Sequence, residues 1–244
     1  RSDFARGSLS QTLTPIAPDN DVPEGIPLPA GTSALGIWVQ PGRLSGDTVL
    51  IARLQDGRGV YFDVLLGELA GQEWHYLEAP IEPASISRRR RAPPPPTVGP
   101  PYTLHTLWVA TSRVGQTTGA VFLDQLQAVT PDGVVEVETF QDIEGWQPLE
   151  DSLAAGLYSL DTSEAAARPG RRSAVFTWGR GGQAVRGIRF GSPESPLPVL
   201  VSPSFLEKSQ VRAGEELSVL LDGIFVPVQV AGTVGFFPTL DPRK

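Results

Sequence analysis

Glycine and proline cut this chain into short apolar runs, and that punctuation limits the fold more than any other feature. The 244 residues include 26 glycines and 24 prolines, about a fifth of the chain and still short of the low-complexity range. Between the breaks lie runs rich in valine, leucine, phenylalanine and tryptophan, spaced as strands are in an all-β sandwich or jelly roll. The spacing predicts strands over 34–40, 48–54, 60–66, 73–79, 104–111 and 120–129, and again over 134–140, 157–161, 173–178 and 185–190. One more strand is expected near 4–13, with a proline-rich loop after it to about residue 30. Pro131-Asp132-Gly133 marks a turn and a boundary, residues 142–146 a turn, and 163–168 one helical turn ended by Pro169-Gly170.

Near the C-terminus, Ser202 has the chemistry of an N-cap with Pro203 at the first helical position, giving a short helix to about Ser209. Strands over 216–221, 224–231 and 233–237 follow. Residues 219–238 carry a single charge, Asp222, and are long enough to be mistaken for a membrane span. The Asp222-Gly223 turn dipeptide, Pro227, Gly232 and Gly235 oppose a helix, and Val226, Val228 and Val230 alternate like a strand.

The net charge of −7 and pI near 4.9 exclude broad nucleic-acid binding, which needs a basic surface against phosphate. The one basic run, Arg88 to Arg91, stands before Pro93 to Pro96. Polyproline favours an extended, solvated helix, so the pair reads as a protruding loop rather than a nucleic-acid or acidic-lipid patch. Cysteine is absent, which removes disulfides and thiolate metal sites and leaves the compartment open. Methionine is absent too, an initiator included, so the sequence is expected to belong to a longer chain.

Catalytic patterns fail one by one. Gly179-Arg180-Gly181-Gly182 lacks the lysine of a phosphate loop and reads as a hairpin turn. Gly42-Arg43-Leu44-Ser45-Gly46 has its serine one place too late for a nucleophile elbow. His75 and His105 fall inside predicted strands without zinc-ligand spacing, and read as sheet histidines. Asp142, Glu144, Glu150 and Asp151 flank Trp146 as a glycosidase pair would, but solvated acidic turns are the ordinary reading on an acidic protein. No enzyme and no cofactor are expected; a structural calcium ion at Asp19, Asp21 or Asp124 is the single metal reading.

Aromatic residues give a binding candidate instead. Alternation puts Trp38 with Gly36 and Gln40, opposite Leu35, Ile37 and Val39, and puts Trp108 with Thr106 and Ala110, opposite Leu107 and Val109. Trp74, Tyr76 and Glu78 share a parity. If these faces coincide, Trp38, Trp74, Tyr76 and Trp108 make a flat platform on which the apolar C–H faces of sugars stack. The preferred alternative packs the same rings against neighbouring elements on the second face of the sandwich.

Two stretches resemble known families. Leu35-Gly36-Ile37-Trp38-Val39, residues 59–67, Glu73-Trp74-His75-Tyr76-Leu77 and residues 120–126 resemble, at pattern level, the carbohydrate-binding-module-like, galactose-binding-like jelly rolls. Pro198-Val199, Ser202 and Phe205-Leu206, then Gly214 and Val219, then Val230, Gly232, Val234 and Phe237-Pro238 resemble the extracytoplasmic domain of FtsX/MacB-like ABC transporter permeases. The expected organisation is a jelly roll over 1–132, a β-rich continuation or partial second sandwich over 133–196, and a permease-type β segment with one short helix over 197–244. The resemblance implies a non-catalytic region on the extracellular face of a bacterial membrane, binding a substrate or partner or coupling motion. It also implies an ATPase subunit and transmembrane segments outside this sequence. A carbohydrate or cell-envelope ligand and no nucleic acid are expected as partners; the alternative function is a free-standing carbohydrate-binding module of a secreted protein.

Overall fold

The computed structural model describes residues 25–44, 47–84, 97–111, 118–149, 156–164, 172–179, 186–191, 196–221 and 224–235. The expected strand at 4–13, the Arg88–Pro96 stretch, Asp19, Asp21, Glu150, Asp151 and residues 165–168 lie outside them.

Among the described residues fifteen strands and one helix follow in chain order: β1 (Ile26–Pro27), β2 (Ala34–Pro41), β3 (Thr48–Gln55), β4 (Tyr61–Glu68), β5 (His75–Pro80), β6 (Thr103–Thr111), β7 (Gly119–Thr130) and β8 (Gly133–Glu138). Then come β9 (Trp146–Pro148), β10 (Tyr158–Ser163), β11 (Ser173–Trp178), β12 (Arg186–Phe190), β13 (Leu197–Val201), α1 (Pro203–Ser209), β14 (Glu216–Leu221) and β15 (Ile224–Thr233).

The protein is all-β. Sheet A runs β4-β3-β6-β12-β9 with β1 also on β6, and sheet B runs β10-β11-β7-β2-β5 with β8 also on β7; every pairing in both is antiparallel. Alternation produces the core between them. Leu35, Ile37 and Val39 of β2 are fully buried and meet Leu50, Leu54, Leu104, Leu107 and Ile188 of sheet A within one cluster.

Local irregularities set the register. Gln125 stands at φ 44, and the β2–β7 register shifts between Gly36 and Trp38. One extra residue in β7 moves the inward positions from Val121 and Leu123 to Leu126 and Ala128, all buried. Pro131-Asp132-Gly133 is the tip of the β7–β8 hairpin, with Thr130 opposite Gly133. From there β8, β10 and β11 stay in sheet B, while β9 and β12 join sheet A. Trp146, which the sequence reading places in a turn, opens β9, and its ring packs between Phe140 and Phe190.

Sheet C, β13-β15-β14, has its own core of Val211, Leu217, Val228 and Val230 with Val199, Val201, Leu206 and Val219 against it. β13 lies parallel to β15, so the connection between them carries α1 and β14. The Ser202 hydroxyl accepts from the Phe205 amide at 3.1 Å, Pro203 follows the cap, and Gln210 closes the helix in the left-handed conformation. The strands expected at 224–231 and 233–237 are one strand, β15, as far as Thr233. No helix among the described residues is long and apolar enough to cross a membrane.

Candidate functional site

Trp38 and Tyr76 are cross-strand partners on the outer face of sheet B, with ring centroids 5.3 Å apart at 49°. What shapes this pair is the residue beside it. Gly36, in β2, has Glu78 of β5 on one side and Gln127 of β7 on the other. Tyr76 reaches across it, its hydroxyl donating to Gln127 Oε1 at 3.0 Å. A Cβ at residue 36 would stand 1.8 Å from the Tyr76 hydroxyl oxygen, so only glycine lets the phenol lie over the sheet there. The ring spans β5, β2 and β7 and forms a low apolar surface next to the Trp38 indole. Burial, and after it the negative charge of Glu78, pushes the Tyr76 phenol above its ordinary value. It therefore stays a protonated donor at neutral pH.

One row of this face reads Glu78, Gly36, Gln127, Glu136 across β5, β2, β7 and β8. The neighbouring row holds Tyr76, Trp38 and the buried Asp124. At one end Gln40 Nε2 donates to the Gln72 carbonyl at 2.9 Å, tying β2 to the segment that carries the partly buried Trp74 just ahead of β5. Aromatic faces bordered by amide and carboxylate groups suit a ligand with alternating apolar and hydroxyl surfaces.

Trp108 is not part of this surface. It lies on the outer face of sheet A, since its neighbours Leu107 and Val109 fill the core and it stands opposite Gly187. Its indole is only 7 % exposed and packs with Ile51, Val49, Ala110 and Leu149. The Arg53 guanidinium stands 5.9 Å from its ring centroid, and Nε1 donates to Asp63 at 3.4 Å. Arg53 and Asp63 make a two-pronged ion pair at 2.8 and 2.9 Å. The four aromatic residues singled out in sequence are thus split between opposite faces, because equal strand parity says nothing about which sheet a strand joins.

The remaining candidates fall into structural roles. His105 is buried with its ring edge-on to Tyr61 at 5.0 Å, and His75 Nδ1 is 3.1 Å from the Glu73 carbonyl. Asp142 accepts from the Glu144 amide in an exposed turn, while Trp146 turns inward and donates to Glu138. Among the described residues no group of three histidine, aspartate or glutamate side chains is placed to hold a metal ion. No sequence motif marks Asp56, yet its carboxylate accepts from the amides of Arg58 and Val60 and from the Arg58 guanidinium, folding the 56–60 turn around itself. Burial works against that charge, but the Val60 amide and Arg58 outweigh it and hold the carboxyl below its ordinary value.

Comparison with protein-family models, with curated proteins and with solved structures returns no match.

Proposed function

We propose that this chain is the extracytoplasmic region of a bacterial ABC transporter permease of the FtsX/MacB-like class. It acts without catalysis, binding a substrate or partner outside the membrane or coupling ATP-driven motion to it. The observation that supports this reading is the structural use of the motif residues in sheet C. Val199, Leu206, Val219 and Val230 pack its core, Ser202 caps α1, and Gly214 takes φ 90 at the turn before β14. In this reading the ATPase subunit and the transmembrane segments belong to the parent transporter, and sheet C lies nearest the membrane-linked part. Affinity purification of the detergent-solubilised, full-length native protein tests it. A nucleotide-hydrolysing subunit should co-purify in a fixed ratio; a soluble protein without ATPase activity contradicts the reading.

A specific observation favours a second reading, a carbohydrate-binding module of a secreted protein. Tyr76 lying over Gly36 beside Trp38 is the kind of surface on which sugar rings stack. Titration with oligosaccharides should change tryptophan fluorescence saturably in the wild type and in Trp108→Phe, and not in Trp38→Ala. Equal responses in all three would remove the site from sheet B.

A further inference from the structure

At the described strand positions, the outer face of sheet B carries charge of one sign. Its outward strand positions include Glu78 on β5, Asp124 on β7, Glu136 on β8 and Asp161 on β10, and among the described residues no lysine or arginine shares those positions. The outer face of sheet A differs, with Arg53 beside Trp108. Glu78 and Glu136 are exposed and end the row that runs through Gly36 and Gln127, on either side of the Tyr76 ring. Three strand spacings put their backbones ~14 Å apart. An apolar stacking surface is thus bracketed by two solvent-facing carboxylates.

We infer that this surface, taken as the carbohydrate site of the second reading above, selects polymers of amino sugars in the ammonium form over neutral ones and rejects polyuronates. The pyranose C–H faces stack on Trp38 and Tyr76, and ammonium groups on successive sugars meet Glu78 and Glu136. Charge-assisted hydrogen bonds of this kind are stronger than neutral ones. A uronic acid brings a like charge to the same row and is repelled. Gln127 and Gln40 serve the hydroxyls common to all these sugars, so they contribute affinity without discrimination.

The test is calorimetric titration of the whole chain, at mildly acidic pH, with four oligosaccharides of equal length. These are a glucosamine oligomer, its N-acetylated counterpart, a neutral β-glucan and a polyuronate. The expected result is about tenfold tighter binding of the amine form than of the N-acetylated one, with no binding of the polyuronate. The advantage should shrink with added salt. Glu78→Gln with Glu136→Gln, both at exposed positions, should bring the amine form down to the affinity of the N-acetylated one. Trp38→Ala, which keeps every charge, should weaken both forms alike. An amine advantage that survives the double substitution, or that is the whole of the binding in Trp38→Ala, overturns the inference, because the attraction is then to the net charge of −7. Equal binding of amine and N-acetylated forms by the wild type overturns the selectivity and leaves the sugar surface standing. Binding of none of the four removes the carbohydrate reading and this inference with it.

Discussion

Gly36 is the residue on which the aromatic outer face of sheet B turns. Any side chain there meets the Tyr76 hydroxyl, so Gly36→Val should swing the phenol off β2 and break its bond to Gln127. A cost of about 1–3 kcal/mol in unfolding free energy is expected, together with a changed near-ultraviolet circular dichroism from the Trp38–Tyr76 pair. An unchanged aromatic spectrum would mean that the ring does not cross the glycine. Asp56 links stability to acid. Its folded carboxyl lies below the ordinary value of 3.8, so its contribution is complete above that value and is lost as pH falls through it toward the lower folded value. Asp56→Asn removes a buried charged acceptor and should cost about 1–3 kcal/mol at neutral pH. Denaturant unfolding at several pH values should show that the wild type's advantage over this variant narrows only below about pH 4. Alternation alone identifies Trp38, Gly36 and Gln40 as outward-facing. The value of Gly36 is not legible that way, because it depends on a tyrosine from the next strand.

At the scale of elements, the runs bounded by glycine and proline are legible because their strands bury one face. The expected strands at 34–40, 48–54 and 173–178 coincide with β2, β3 and β11 to within a residue. Three short elements escape this logic. β1, two residues paired with β6, lies in the stretch expected as a proline-rich loop. β9 has three residues and is held by pairing to β12 and by the Phe140–Trp146–Phe190 rings. β13, with Pro198 in it and Leu197 and Leu200 exposed, has no clear alternation. The bulge at Gln125 is equally silent in the sequence, and without it Leu126 and Ala128 would face outward. Helix α1 is short, has no buried residue of its own and depends on its cap. Ser202→Ala should lower the stability of sheet C by about 1 kcal/mol, read as faster amide exchange in α1 and β13 with β2 and β7 unchanged.

At the scale of the whole molecule, the sandwich core and the core of sheet C differ in size, and among the described residues a third, small cluster of Ile51 and Trp108 lies on the outer face of sheet A. The sandwich core draws on strands from β2 to β12, whereas sheet C rests on four buried side chains and their partly buried neighbours. Small cores bury too little apolar surface to be stable alone, so native-state hydrogen exchange should show sheet C opening at lower free energy than the sandwich. Phe176→Ala, in the sandwich core, should cost about 3–5 kcal/mol and leave exchange in sheet C as it is. A single common opening energy would mean that the two cores unfold as one. In the function proposed above, the sandwich would face a ligand and the smaller sheet would transmit motion. The most direct test of that account is fractionation of cells expressing the full-length native protein, with external protease added before lysis. The account predicts a protein that stays in the membrane through a high-salt wash and is cleaved within this region from outside. Release as a soluble protein, or protection from the protease in intact cells, would contradict it.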